Sequence, residues 1–279
     1  MAVSISASQV NELRKKTGAG MMDCKKALVE AEGDQAKAIE LLRKKGQKVA
    51  AKREDREASE GVVVGVGTED NKSGVIVAVN CETDFVAKND DFIGLAKKIL
   101  DIAVANKPAD TAALKALPFA DGLSIEEKIT EQTGVIGEKI DLSAYKLVEG
   151  ETVVVYNHPG YKLTAAVALN KAGENVIEAG KEVAMQVAAM NPLALNKDGV
   201  DQEVIAKEVE IGKEEAIKAG KPAELAEKIA QGKLGKFFKE NTLLEQDYIS
   251  NNKLSVQKYL DQVEGGLTVT AYERVSIGG

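Results

Sequence analysis

Val75-Ile-Val-Ala-Val-Asn-Cys-Glu-Thr-Asp-Phe-Val-Ala-Lys88 starts as an apolar run of strand length and ends as something else. Val75 to Val79 has the composition of a buried strand, and beyond the stretch Asp90, Asp91, Phe92, Leu95, Ile99 and Ile102 recur at helical spacing. The segment between them, Asn80 to Lys88, sets an acid, Asp84, beside a large aromatic, Phe85, at a strand-to-helix junction. Side chains that act on other molecules are often carried at such places on a rigid scaffold. Position alone leaves two readings of Phe85: a core residue closing the sheet, or a side chain presented outward.

The pattern returns further along, and the repeat decides the fold class. Ala165 to Asn170 echoes Val75 to Asn80 with Asn170 90 positions after Asn80, and Val153, Val154 and Val155 echo Val62, Val63 and Val64. A helix ending at Met190-Asn-Pro192 answers one ending at Asn106-Lys-Pro108. Ile140-Asp-Leu-Ser-Ala-Tyr145 and Leu267-Thr-Val-Thr-Ala-Tyr272 both alternate apolar and polar before an aromatic. The chain therefore reads as α+β, with a duplicated core of two small units, each a three-stranded antiparallel sheet plus a helix. The second unit has Lys-Ala-Gly-Glu where the first has Cys-Glu-Thr-Asp-Phe. The acid–aromatic pair is thus not demanded by the shared fold, which favours a partner-facing role for it.

Outward from the core, residues 6 to 46 read as three short helices. Ser8 is expected to cap the first, with Val10 and Leu13 inward and Gly18 and Gly20 breaking it. Met21, Cys24, Leu28 and Ala31 then recur at three-to-four spacing, and Asp34 caps a third helix expected to stop at Gly46. Such a unit of roughly 45 residues is near the lower limit for folding alone. Met21 and Met22 follow Gly18 and Gly20, so an adaptable contact surface is one reading, with at least one methionine expected in the core. Gln47 to Ser59 reads as a linker, partly helical. The second core unit is interrupted by an αα-hairpin, Asp201 to Ala219 and Pro222 to Lys239. Its seam is expected through Ile205, Val209, Gly212 and Ala216 on one helix and Leu225, Ile229 and Gly232 on the other. That seam is too thin for a core, so a projecting arm is expected. Thr242 to Tyr248 reads as irregular, and Ser255 caps a last short helix. The boundaries are then 1–50 for the helical domain, 51–59 for the linker, 60–148 for the first core subdomain, 149–198 with 240–279 for the second, and 199–239 for the arm.

Composition narrows the function. Of 279 residues, 44% are hydrophobic and 29% charged, ordinary for a soluble globular protein. No run is long and apolar enough for a membrane span, and the N-terminus lacks the features of a secretory signal, so a cytoplasmic location is expected. The two cysteines, Cys24 and Cys81, lie far apart and read as buried thiols rather than as a disulfide or zinc framework. The net charge of −7 argues against nucleic-acid binding by the whole chain, but residues 1 to 56 carry 13 basic against 8 acidic residues. Either the basic module and the acidic body contact different faces of a partner, or these are solvated helix faces. With aromatics at 4% and no Trp, a stacking platform for single strands is not supported. The single histidine, His158, sits in the turn-like Tyr156-Asn-His-Pro-Gly160, as a turn residue or a contact. A phosphate-binding Gly-x-x-x-x-Gly-Lys-Ser/Thr loop and a serine elbow are both missing. Asp90 and Asp91 read as a helix start rather than a metal site. A binding protein without cofactor, metal or catalytic residues of its own fits better than an enzyme.

Two segments carry a resemblance. Leu13-Arg-Lys-Lys-Thr-Gly-Ala-Gly-Met-Met-Asp-Cys-Lys-Lys-Ala-Leu28 and Asn80-Cys-Glu-Thr-Asp-Phe-Val-Ala-Lys88 closely resemble the signature segments of the bacterial elongation factor Ts family, and the likeness extends over essentially the whole chain. The resemblance implies a ubiquitin-associated-like (UBA-like) N-terminal domain, a duplicated core and an antiparallel coiled-coil insertion. It also implies guanine-nucleotide exchange on elongation factor Tu, the GTPase that carries aminoacyl-tRNA. By the same matching, Thr83, Asp84, Phe85 and Val86 meet the GTPase domain and dislodge its Mg²⁺. Arg14, Met21 and Met22 touch that domain from the N-terminal helices, and His158 falls in a unit that faces another domain of the partner. The chain stops beyond its last strand without the C-terminal helical module of some members, so contacts from such a module are expected to be lost. It also has Asp247 where the family usually has proline. With both core units in one chain, a monomer is expected, leaving the arm for other contacts or for dimerisation. Two rival readings are a scaffold that binds without releasing nucleotide and a thiol enzyme using Cys24 or Cys81.

Overall fold

The computed structural model describes residues 4–120 and 122–278. Three helices open the chain: α1 (Ala7–Thr17), α2 (Met21–Glu30) and α3 (Gln35–Lys52). The cap of α1 is Ser6 rather than Ser8. The Ser6 hydroxyl accepts from the Gln9 N–H at 3.2 Å while the Gln9 side chain accepts from the Ser6 N–H at 2.9 Å, a reciprocal box that places Ser8 inside the helix. Gly18 ends α1 at φ 70°, and Asp34 caps α3 as its sequence predicts. Val10, Leu13, Cys24, Ala27, Leu28 and Ala38 form the core of this bundle.

Gly46 does not stop α3, which runs on to Lys52. The glycine that the close approach requires is its neighbour: a Cβ on Gly134, in the helix packed against it, would lie 2.2 Å from the Gly46 Cα, whereas a Cβ on Gly46 would meet the Gly134 Cα at an ordinary 3.6 Å. Gly134 lets the two backbones touch where a side chain on it would hold them apart.

Next come β1 (Glu60–Gly67), β2 (Ser73–Cys81), a one-turn α4 (Asp84–Ala87) and α5 (Asp90–Asn106). They are followed by α6 (Thr111–Ala116), a ribbon of β3 (Pro118–Ala120) and β4 (Leu123–Ser124), α7 (Ile125–Ile136) and β5 (Asp141–Glu149). The segment from α6 through α7 carries no assignment in the sequence reading, yet α7 bears Gly134 and buries Ile125, Ile129 and Thr133. The second half has β6 (Thr152–Asn157), β7 (Leu163–Leu169), α8 (Glu174–Met190), α9 (Gln202–Lys218) and α10 (Ala223–Asn241). It closes with β8 (Asp247–Tyr248), β9 (Asn251–Ser255), α11 (Val256–Val263) and β10 (Val269–Ser276). Asp247 and Tyr248 are therefore strand, paired with β9, in a stretch expected to be irregular.

The duplication is visible in the sheets. The first has the order β1-β2-β5 and the second β10-β7-β6, so each centres on the strand that the repeat identified. In the second sheet both neighbours of β7 are antiparallel to it. α5 and α8 each have 17 residues, and each ends on a non-glycine residue in the left-handed region, Lys107 at φ 43° and Asn191 at φ 44°. Pro108 and Pro192 follow, so neither helix can continue.

The described residues divide into two compact units. One comprises those within Met1–Val63, Val77–Tyr145 and Ile277–Gly279, and the other those within Val64–Ile76 and Lys146–Ser276. The end of the β1–β2 hairpin groups with the second sheet because it packs there. The Gly65 N–H donates to Asn157 Oδ1 at 2.9 Å, and a Cβ on Gly74 would sit 2.8 Å from Val153 and Val155. The second unit's core is built from β7 and α8, with Val167, Leu169, Val176, Val183 and Val187 buried.

In the arm, Gly212 and Ala216 of α9 face Ala226 and Ala230 of α10, all buried. The seam on α10 is shifted by one position from the expected Leu225, which is 44% exposed, and a Cβ on Gly232 would meet nothing within 4 Å, so that position faces away from the seam. Pro222 is the N-cap of α10 rather than part of its first turn. Small residues at the seam draw the helices together, and Lys213–Glu227 and Lys233–Glu215 ion pairs span them. Among the described residues, no helix is long and apolar enough to cross a membrane.

Candidate functional site

Cys81 ends β2, and the chain turns at Glu82-Thr83 into α4. Thr83 has extended backbone, φ −125°, and its hydroxyl accepts from the Val86 N–H at 3.5 Å. Ala87 is the buried residue of this helix; Phe85 is 83% exposed. Of the two readings of Phe85, the structure takes the outward one. Asn89 then caps α5, accepting from the Asp91 N–H at 2.8 Å, so Asp90 and Asp91 lie in a helix's first turn.

Asp84 is paired within its own helix. Lys88 Nζ donates to Asp84 Oδ2 at 2.7 Å, which holds the Asp84 carboxyl below its ordinary range and raises the lysine. Glu82 and Thr83 are held from behind. Glu82 accepts the Lys139 N–H at 2.6 Å and, on both oxygens, the Arg53 guanidinium at 2.8 Å; the backbone bond leads in holding its pKa low. Glu138 accepts the Thr83 N–H at 3.0 Å and the Thr83 hydroxyl at 2.8 Å. Sequence reasoning missed Glu138 because it lies in a loop outside every motif. Its signal is tertiary.

Beside α4 in the same unit is an open groove of about 530 Å³, lined by Lys15, Thr17, Gly18, Val86, Phe92 and Phe119 among others. The end of α1 and the start of α4–α5 thus share one surface feature. Lys98 sets its ammonium 4.4 Å from the centre of the Phe119 ring, a cation–π contact on the groove wall. Arg14 is exposed in the last turn of α1.

Met21 and Met22 open α2 and are 53% and 62% exposed, so neither joins the core as expected of at least one of them. Thr17 and Ala19, both buried, close the core ahead of Cys24, whose thiol donates to the Ala19 carbonyl at 3.5 Å. The methionines start beyond that edge. Cys81 is likewise buried, its thiol donating to the Thr83 carbonyl at 3.2 Å. Two buried thiols serving as donors offer no exposed nucleophile, which removes the basis of the thiol-enzyme reading. His158 belongs to the second unit, exposed in the β6–β7 turn with Nδ1 3.0 Å from the Tyr156 hydroxyl.

Among known proteins, the family model described as Elongation factor TS matches residues 82–279. Elongation factor Ts of Christiangramia forsetii is 56% identical over 274 residues, covering 98% of this chain and 99% of its own. That of Amoebophilus asiaticus is 52% identical over 277 residues, covering 99% and 100%. That of Cytophaga hutchinsonii is 50% identical over 275 residues, covering 98% and 99%.

Proposed function

This chain belongs to the elongation factor Ts family, and on that premise we propose that it is a guanine-nucleotide exchange factor for elongation factor Tu. It binds the GDP form, dislodges Mg²⁺ from the partner and releases GDP so that GTP can rebind. The observation that carries this reading is Phe85, 83% exposed on a short helix that the second repeat does not have.

Thr83 to Val86 dock on the GTPase domain. Phe85 wedges into it, gaining about 1.5–3 kcal/mol on full burial. Asp84 exchanges its Lys88 partner for groups that hold the magnesium site. Since 1.4 kcal/mol is a factor of ten, a few such contacts speed release by orders of magnitude. By linkage the bound nucleotide weakens the factor's hold by the same free energy, so GTP dissolves the complex. Arg14, Met21 and Met22 make a second, adaptable contact with the same domain, and His158 meets another domain of the partner. The factor acts as a cytoplasmic monomer without catalytic residues, and the arm is left for further contacts or for dimerisation.

The test is stopped-flow release of a fluorescent GDP from elongation factor Tu, with and without this protein. Acceleration supports exchange; tight binding with no acceleration would leave a scaffold.

A further inference from the structure

α4 poses a physical problem. One turn of four residues fixes its backbone for very few hydrogen bonds and does not hold itself in water. Its largest side chain gives no help, because Phe85 points out of the fold. The support must come from elsewhere, and the structure contains it. Two consecutive residues of the loop between α7 and β5 grip two consecutive residues of the turn into α4. Glu138 takes both the N–H and the hydroxyl of Thr83, and the Lys139 N–H is given to Glu82. Arg53, just beyond α3, closes the other side of Glu82, and Lys139 Nζ reaches back to the Glu54 carbonyl at 2.6 Å.

The geometry points to Glu138 as a positioning residue for nucleotide exchange, a role that rests on the exchange reading above. Thr83 caps α4 with the same hydroxyl that it donates to Glu138, so the carboxylate orients the lone pair that receives the Val86 N–H. Glu138 thereby fixes the direction in which Asp84 and Phe85 leave the unit, and the ordering that docking requires is done before the partner arrives. The second repeat passes from its central strand to its helix without such a turn, so the grip serves α4 and not the sheet.

The experiment compares wild type, Glu138→Ala and Glu138→Gln in the full chain, by GDP release over a range of factor concentrations and by amide hydrogen exchange of the free protein. Glu138→Ala is expected to raise the half-maximal concentration about tenfold, leaving the saturated rate within about twofold because Phe85 is intact. Glu138→Gln keeps an acceptor oxygen and recovers part of the loss. Peptides covering residues 82–89 exchange faster in Glu138→Ala, while those covering β2 and α5 do not change. In a Phe85→Ala background, Glu138→Ala adds little, as expected of two residues acting through one contact. Wild-type half-maximal concentration and protection in Glu138→Ala would overturn the proposal, as would losses that multiply or a loss of protection spread over β2 and α5. Wild-type protein that fails to speed GDP release sinks the exchange reading and the positioning role with it. Wild-type acceleration with an unaffected Glu138→Ala sinks the positioning role alone.

Discussion

The two repeats part company at one place. Asn80 lies ten positions before the start of α5, whereas Asn170 lies four before the start of α8. The first repeat therefore carries six extra residues, and α4 forms within them. The second crosses the same gap through Gly173, at φ 153°, and ties Lys171 to Glu264 and to the Gly265 carbonyl. Helix length, helix-ending geometry and sheet order are kept on both sides of the difference. A fold that can be built with the short junction does not need the long one. On the exchange reading proposed above, the long junction is there for what it displays.

The most drastic way to break the comparison is to give the first repeat the junction of the second, replacing residues 81–89 with Lys-Ala-Gly. Loss of the buried Cys81 and Ala87 costs a few degrees of melting temperature, and acceleration of GDP release falls to the uncatalysed level. Retained acceleration would mean that α4 is not the acting element. Phe85→Ala is gentler. A central aromatic anchor commonly contributes 2 kcal/mol or more, so a loss of at least tenfold in exchange is expected with an unchanged thermal melt. A lowered melt with normal exchange would make Phe85 structural.

The shared features can be probed as well. Lys107→Gly relieves a left-handed lysine and should stabilise by about 1 kcal/mol, whereas Asn191→Gly should gain only a few tenths, since asparagine tolerates that region. Chemical denaturation measures both. Equal gains would contradict the view that the two helix ends are the same device built from different residues.

The smallest effect concerns pH. Asp84 is depressed by Lys88, so their pairing contributes fully above about pH 4 and is lost as pH falls through the lowered folded value. Lys88 is raised by the same bond, so its contribution is fully present below about pH 10 and is lost only as pH rises beyond that. Exchange should therefore show no titration from this pair between pH 6 and 9, as stopped-flow rates across that range would reveal. Lys88→Ala, which frees Asp84, should change the rate less than threefold, in keeping with an exposed pair.

Legibility followed range along the chain. Val75–Val79, the helical spacing after Asp90 and the run Ala165–Leu169 that echoes the first strand are local patterns, and each corresponds to a strand or helix in the structure. Gly46 reads as a helix stop, yet α3 runs through it, because a glycine inside a helix that lies against another helix looks the same in sequence as one that ends a helix until the neighbour, here Gly134, is known. Ser6 and Ser8 both precede the apolar spacing, and the reciprocal bonds with Gln9 select Ser6 as the cap. Met21 fits an inward period, but the core is already closed by Thr17 and Ala19.

The sequence by itself determined the duplication, the family signatures and the presence of an acid–aromatic pair that the second repeat lacks, because composition and period are written along one dimension. Tertiary structure alone decided that Phe85 faces solvent and that Glu138 reaches Thr83 across 55 residues. Those facts depend on which chain segments meet, and a one-turn helix has no pattern of its own long enough to state them.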